Sequence, residues 1–228
     1  MKVVILLGPP GAGKGTQAPL LSQRLGIPIV ATGDLFRSAV RDGTPLGLEA
    51  RRYMDAGQLV PDDITVRLLL DRLGRADARE GVILDGFPRT AVQAAALDRA
   101  LAERDERVSA AVLIDVPEEE VMRRMSGRWI CRAAGHPFHA VFSPPHTAGV
   151  CDIDGSELYQ RADDKPDTVR ARMAQQLGAL AEVIAHYRES GTLLSVDGLQ
   201  GIDAVAHDID AALVGSGLAT PAGGEAAR

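Results

Sequence analysis

Five apolar residues, Val3 to Leu7, run straight into Gly8-Pro9-Pro10-Gly11-Ala12-Gly13-Lys14-Gly15-Thr16. An uninterrupted Val/Ile/Leu run of this length reads as a strand buried on both faces. Beyond the glycines, Thr16 to Leu25 has helical spacing and Gly26 supplies a stop. A strand, a glycine-rich turn and a helix N-terminus in this order confine the chain to an α/β architecture with an anion site at the turn. Glycines let the backbone come close and turn its N–H groups inward, and the helix dipole adds positive potential. Gly8 and Gly13 fit both glycines of the G-x-x-x-x-G-K pattern, and Lys14 puts a mobile charge where the outer phosphates of a nucleoside triphosphate would lie. Gly15 stands where Ser or Thr usually follows the lysine, and Thr16 comes one place later.

The remainder of the chain extends this unit. Pro28–Ala31 predicts a short buried strand leading into Thr32-Gly33-Asp34, where Thr32 or Asp34 is expected to cap the next helix. One helix follows over about 46–56, and Asp62 or Asp63 is expected to cap the next, which has Ile64, Leu68, Leu69 and Leu73 on one face. Gly81–Asp85 predicts a buried strand ending in a carboxylate, placed to hold Mg²⁺ or its waters beside a phosphate loop. Thr90 opens a helix to Leu101, Val108–Asp115 is a fourth strand, and Pro117 opens a helix to about Met125. From Gly127 to Asp164 short alternating runs between Gly, Pro and Ser turns predict a small β-rich insertion. A long helix over 167–189, a fifth strand over 192–196 and a helix over 202–213 complete a doubly wound parallel five-stranded sheet. The tail after residue 213 is expected to be disordered.

With 228 residues, 46% apolar and 25% charged, the chain suits one soluble α/β domain with insertions. A net charge of −6 argues against non-specific nucleic-acid binding. No signal peptide or membrane-spanning stretch is read, and two cysteines do not make a disulfide scaffold, so a cytoplasmic protein is expected. Lysine occurs only at positions 2, 14 and 165, which leaves 22 arginines, the side chain that grips phosphate with two parallel hydrogen bonds.

Taken together, Gly8–Thr16 with Gln17, Thr32-Gly33-Asp34 with Arg37, and Leu84-Asp85-Gly86-Phe87-Pro88-Arg89-Thr90 with Gln93 resemble the adenylate kinases of the long-lid type, over about residues 1–213. The resemblance implies a P-loop core (1–31, 62–126, 165–213), a helical monophosphate-binding insertion (32–61) and a lid (127–164). It implies Mg²⁺-dependent phosphoryl transfer, ATP + AMP giving two ADP, with lid closure, in a monomer that needs neither nucleic acid nor membrane. By position, Gly11, Ala12, Gly13, Lys14, Gly15 and Thr16 would wrap the ATP phosphates, and Asp85 would organise magnesium through water. On the AMP side the matches are Thr32, Arg37, Gln58, Leu59, Val60, Gly86, Phe87, Pro88, Arg89 and Gln93. Arg124, Arg128, Pro137, Phe138 and the backbone at Gln200 match the ATP side, while Arg161 and Arg172 match positions that reach the transferring phosphates. A sibling kinase with GTP as donor or another monophosphate as acceptor stays open at this point.

The resemblance also bears on metal. Many long lids hold structural zinc through C-x₂-C, a gap, then C-x₂-C or C-x₂-D. Here the positions are Cys131, Ala134, Cys151 and Asp154, so the second donor is missing. His136, two residues on, is the substitute donor, and His139 the poorer one. A zinc-bound lid and a metal-free lid with two buried thiols both stand; a Cys131–Cys151 disulfide is the least expected arrangement.

Overall fold

The computed structural model describes residues 1–56, 58, 60–160 and 166–220. Its frame is a five-stranded parallel sheet in the order β2-β3-β1-β4-β8, built from β1 (Lys2–Leu7), β2 (Ile29–Ala31), β3 (Gly81–Asp85), β4 (Ala110–Asp115) and β8 (Leu193–Asp197). Alternation along β1 explains why its whole run is apolar. Val4 and Leu6 join one core, and Val3, Ile5 and Leu7 join the other, on the opposite face. The first core is covered by α1 (Lys14–Leu25), α6 (Glu118–Ser126) and α8 (Ile202–Gly215). The second lies under α4 (Asp62–Leu73) and α5 (Ala91–Ala102). The long α7 (Pro166–Glu189) serves both, with Val169 and Met173 in the first core and Val183 and Tyr187 in the second. Burial on both faces is what a parallel sheet with crossover helices requires.

Register places the site. Leu6 of β1 and Ala31 of β2 are both partners of Asp85 in β3, so three carboxyl ends finish level. The chain leaves β1 toward β2 on one side and leaves β3 toward β4 on the other. Loops that part in this way open a crevice at the strand ends.

Two excursions flank that crevice. α2 (Thr32–Arg41) and α3 (Pro45–Asp55) share a small core with the start of α4, made of Phe36, Ala50, Val60 and Ile64. The second is a three-stranded antiparallel sheet of β5 (Arg128–Cys131), β6 (Pro137–His139) and β7 (Leu158–Tyr159), closed over Cys131, Phe138, Cys151 and Leu158.

Several local expectations need correction. Neither Thr32 nor Asp34 caps α2; the helix begins at Thr32 itself, after Ala31, and no side chain caps it. Asp62 and Asp63 likewise sit inside the first turn of α4, after Pro61, where carboxylates favour the helix dipole without capping it. Thr90 does cap α5, accepting from the Gln93 N–H at 3.1 Å. At the other end, α8 runs to Gly215, and Leu218 and Ala219 pack against the first core. Residues 221–228 of the expected tail lie outside the described residues.

Candidate active site

The loop from Gly8 to Gly13 turns β1 into α1. Gly13 occupies the N-cap position with φ 105°, a conformation that a side chain would strain, and no side chain caps the helix, so its first N–H groups face the crevice. Lys14 Nζ donates to the carbonyls of Gly8 (2.7 Å) and Pro9 (2.9 Å), which holds the ammonium over the loop. Gly15 stands beside Asp85: a Cβ there would lie 3.7 Å from Asp85 Oδ2. Without a side chain at position 15, the space next to the carboxylate is left to small ligands, and hard oxygen donors suit Mg²⁺ and its waters.

The carbonyl of Gly86 organises the opposite wall. It accepts from Thr32 Oγ1 at 2.8 Å and from Arg89 Nε at 2.7 Å, and so ties the end of β2 to the loop after β3. Gly86 has φ +77°, and a Cβ there would meet Arg89 Nη2 at 2.9 Å and Thr32 Oγ1 at 3.2 Å. Gly86→Ala is therefore expected to displace Arg89 as well as strain the backbone, lowering kcat/KM by about a hundredfold. Steady-state kinetics on a variant that keeps its fold by circular dichroism would check this. Arg37 folds over Gly33 and pairs with Asp34. Gln93, 2% exposed, donates from Nε2 to Asp62 Oδ1 (2.7 Å) and accepts from the Arg89 backbone N–H (2.8 Å).

Near the end of α6, Arg124 ties three segments of the chain together. It donates to Glu120 (2.8 Å), to the Gly198 carbonyl (2.8 Å) and to the Ala12 carbonyl of the loop (3.4 Å). The Arg123 and Arg124 guanidiniums hold Glu120 below the usual carboxylate range, Arg123 most strongly. Gln200 turns its amide to Asp208.

These parts face one another across a single cleft of about 950 Å³. Gly11 to Thr16, Asp85, Arg124, Arg128, Pro137, Phe138 and Gln200, matched to the ATP side, line it. So do Thr32, Arg37, Gln58, Val60, Gly86, Arg89 and Gln93, matched to the AMP side. Pro88 lies in a small adjoining pocket with Lys14, and the Phe87 side chain is buried in the second core. Leu59 and Arg161 fall outside the described residues, as does the side chain of Arg172. Sequence reasoning missed Glu120 and Asp62. The i+3 and i+4 spacing of Arg123 and Arg124 could have revealed Glu120. Nothing local signals Asp62, whose partners are 28 and 31 residues away.

The three-stranded excursion gathers Cys131, His136, Cys151 and Asp154, one ligand atom from each, all within 4.8 Å of one another. Cys131 Sγ is 3.1 Å from Asp154 Oδ2, and His136 Nδ1 is 3.4 Å from both Cys151 Sγ and Asp154 Oδ2. Edges of a tetrahedral zinc site run about 3.3–3.8 Å for these donor types; the two His136 contacts fall in that range and the Cys131–Asp154 contact a little under it, so the four could hold a metal ion. Ser156 donates from N–H and Oγ to Asp154 Oδ1 and holds that carboxyl far below its ordinary range. Burial pushes the Cys131 thiol up, but hydrogen bonds from Ser156 and the Ala134 N–H outweigh it and bring it down to about 7. Burial raises the Cys151 thiol. His139 faces elsewhere. Its Nδ1 accepts from the N–H groups of Val141 and Phe142, and its Nε2 lies 3.1 Å from the Arg124 carbonyl. Both cysteines are free thiols and buried.

A family model described as adenylate kinase matches residues 6–192 of the chain. An adenylate kinase of Staphylococcus epidermidis is 47% identical over 206 residues, which cover 90% of this chain and 96% of that protein. An adenylate kinase of Staphylococcus aureus is 46% identical over the same length and the same shares.

Proposed function

The chain belongs to the adenylate kinase family, and from that premise we propose that its cleft holds ATP and AMP end to end for direct in-line transfer of one phosphoryl group. The enzyme is a nucleoside monophosphate kinase. The observation that supports this arrangement is the shared cleft, which the phosphate loop lines together with Thr32, Arg37, Arg89 and Gln93.

The attacking atom is a phosphate oxygen of AMP, already anionic at neutral pH, so the reaction needs no general base or protein nucleophile. What remains is positioning and charge neutralisation. The N–H groups at the start of α1 take the donor phosphates. Lys14 exchanges its loop carbonyls for phosphate oxygens and brings its charge with it. Arg37 and Arg89 hold the acceptor phosphate, Arg124 and Arg128 neutralise charge on the ATP side, and Arg161 and Arg172 act on the transferring group. Asp85 would hold Mg²⁺ through water in the space that Gly15 leaves; when bound, the ion neutralises charge on the donor phosphates. Residues 127–164 act as a lid that excludes water, which would otherwise compete as acceptor. Within that lid, Cys131, His136, Cys151 and Asp154 hold a structural zinc. We further read the enzyme as a cytoplasmic monomer. The two free thiols suit a reducing compartment, and no helix among the described residues is long and apolar enough to cross a membrane.

A coupled assay over ATP, GTP, AMP, CMP and UMP tests the assignment. The expected result is Mg²⁺-dependent ADP formation that requires AMP, prefers ATP as donor, and gives little ATP hydrolysis when AMP is withheld. Absence of AMP-dependent ADP formation would overturn the reading; equal use of GTP would overturn the donor assignment.

A further inference from the structure

We infer that Asp62 is a positioning residue for the acceptor base: it fixes which way round the Gln93 amide faces, and so favours a 6-amino over a 6-oxo purine monophosphate. This rests on the reading above that Gln93 belongs to the AMP side of the cleft, where its amide would meet the base.

Gln93 is 2% exposed and both ends of its amide are engaged. Nε2 donates to Asp62 Oδ1 at 2.7 Å, and Oε1 accepts from the Arg89 N–H at 2.8 Å. A carboxylate can only accept and a backbone N–H can only donate. Turning the amide over would set NH₂ against N–H and oxygen against carboxylate, so the two partners impose one orientation. Thr90 completes the clamp. Its hydroxyl donates to Asp62 Oδ2 at 3.0 Å and accepts from the Gln93 N–H at 3.1 Å, so both Asp62 oxygens are engaged. Asp62 thus joins the first turn of α4 to the start of α5 at the Gln93 side chain.

After these bonds the Gln93 amide keeps one N–H and one lone pair on the cleft it lines. Adenine presents a ring-nitrogen acceptor beside an amino donor, which an amide held in a fixed sense can match. Hypoxanthine, a purine of the same shape, reverses that pattern with a carbonyl acceptor beside a ring N–H. A fixed amide opposes it donor to donor and acceptor to acceptor. A free amide would turn over and accept it. Cytosine repeats the adenine pattern on a smaller ring, so IMP is the informative competitor.

The test uses the full-length enzyme with AMP and IMP as acceptors. Asp62→Leu, which removes the acceptor for Gln93, is expected to raise the AMP KM about tenfold and cut the AMP-over-IMP ratio of kcat/KM about tenfold, with kcat and the ATP KM within about twofold. Asp62→Asn, isosteric and able to present either face, should shift both quantities in the same direction by less, and it decides the matter if the leucine variant does not fold. In a Gln93→Leu background the Asp62→Leu change should add less than about twofold to the AMP KM, because its effect passes through Gln93. An unchanged AMP-over-IMP ratio in the folded Asp62 variants, or an equal rise in KM with and without Gln93, would overturn the proposal. Gln93→Leu that leaves the AMP KM unchanged would instead overturn the acceptor-site reading on which it rests.

Discussion

Arg89→Ala is expected to lower kcat/KM by about a thousandfold, while Arg99→Ala stays within about twofold of the parent enzyme. Both are arginines near α5, so charge alone does not separate them. Arg99 is exposed on the helix. Arg89 lies in the cleft on the loop after β3, with Nε donating to the Gly86 carbonyl and its own N–H held by Gln93. Its guanidinium is therefore fixed before substrate arrives, and the reaction has no proton transfer or covalent step that could compensate for its loss. Arg89→Lys should recover little, because an ammonium on a flexible stem offers a point charge without the planar fork that spans two phosphate oxygens. Steady-state kinetics with AMP varied at saturating ATP would measure all three. Losses of the same size at 89 and 99 would show that the arginine assignments are wrong.

The five strands and the phosphate loop were legible because each depends on a local pattern: apolar runs, glycine spacing and a carboxylate at a strand end. What was misread shares one cause. Thr32 and Asp62 are residue types that cap helices, and each stands at a helix start, so local reading made them caps. In the fold their oxygens reach across the chain instead, Thr32 to Gly86 over 54 residues and Asp62 to Thr90 and Gln93 over 28 and 31. A strand register that brings Ala31 and Leu6 level with Asp85 creates those neighbours, and no window along the sequence contains it. Spacing offers His136 in place of the missing donor at Ala134, but it is the pairing of β5 with β6 on one side and β7 on the other that brings its ring beside Cys151.

Purified enzyme is expected to carry about one equivalent of zinc, and Cys131→Ala or His136→Ala to reduce that to a small fraction. Among the described residues the lid cluster is Cys131, Phe138, Cys151 and Leu158, with Trp129 against it, a small apolar core for a segment of this length without a staple. A four-donor ion at its centre would join the turn after β5 to the segment before β7, the two parts that β-pairing links least. Ala134 keeps a part in that arrangement, since its N–H donates to Cys131 Sγ at 3.3 Å and would stabilise a thiolate there. Atomic emission gives the metal content and limited proteolysis the order of the lid; zinc loss should expose residues 127–160 to cleavage while the parallel-sheet core stays protected. His139→Gln separates a ligand from a packing residue. His139 points to Arg124, Val141 and Phe142, so this variant should keep its zinc. A preparation free of any transition metal whose lid resists protease as well as before would leave the four side chains as a hydrogen-bonded cluster and end the metal assignment.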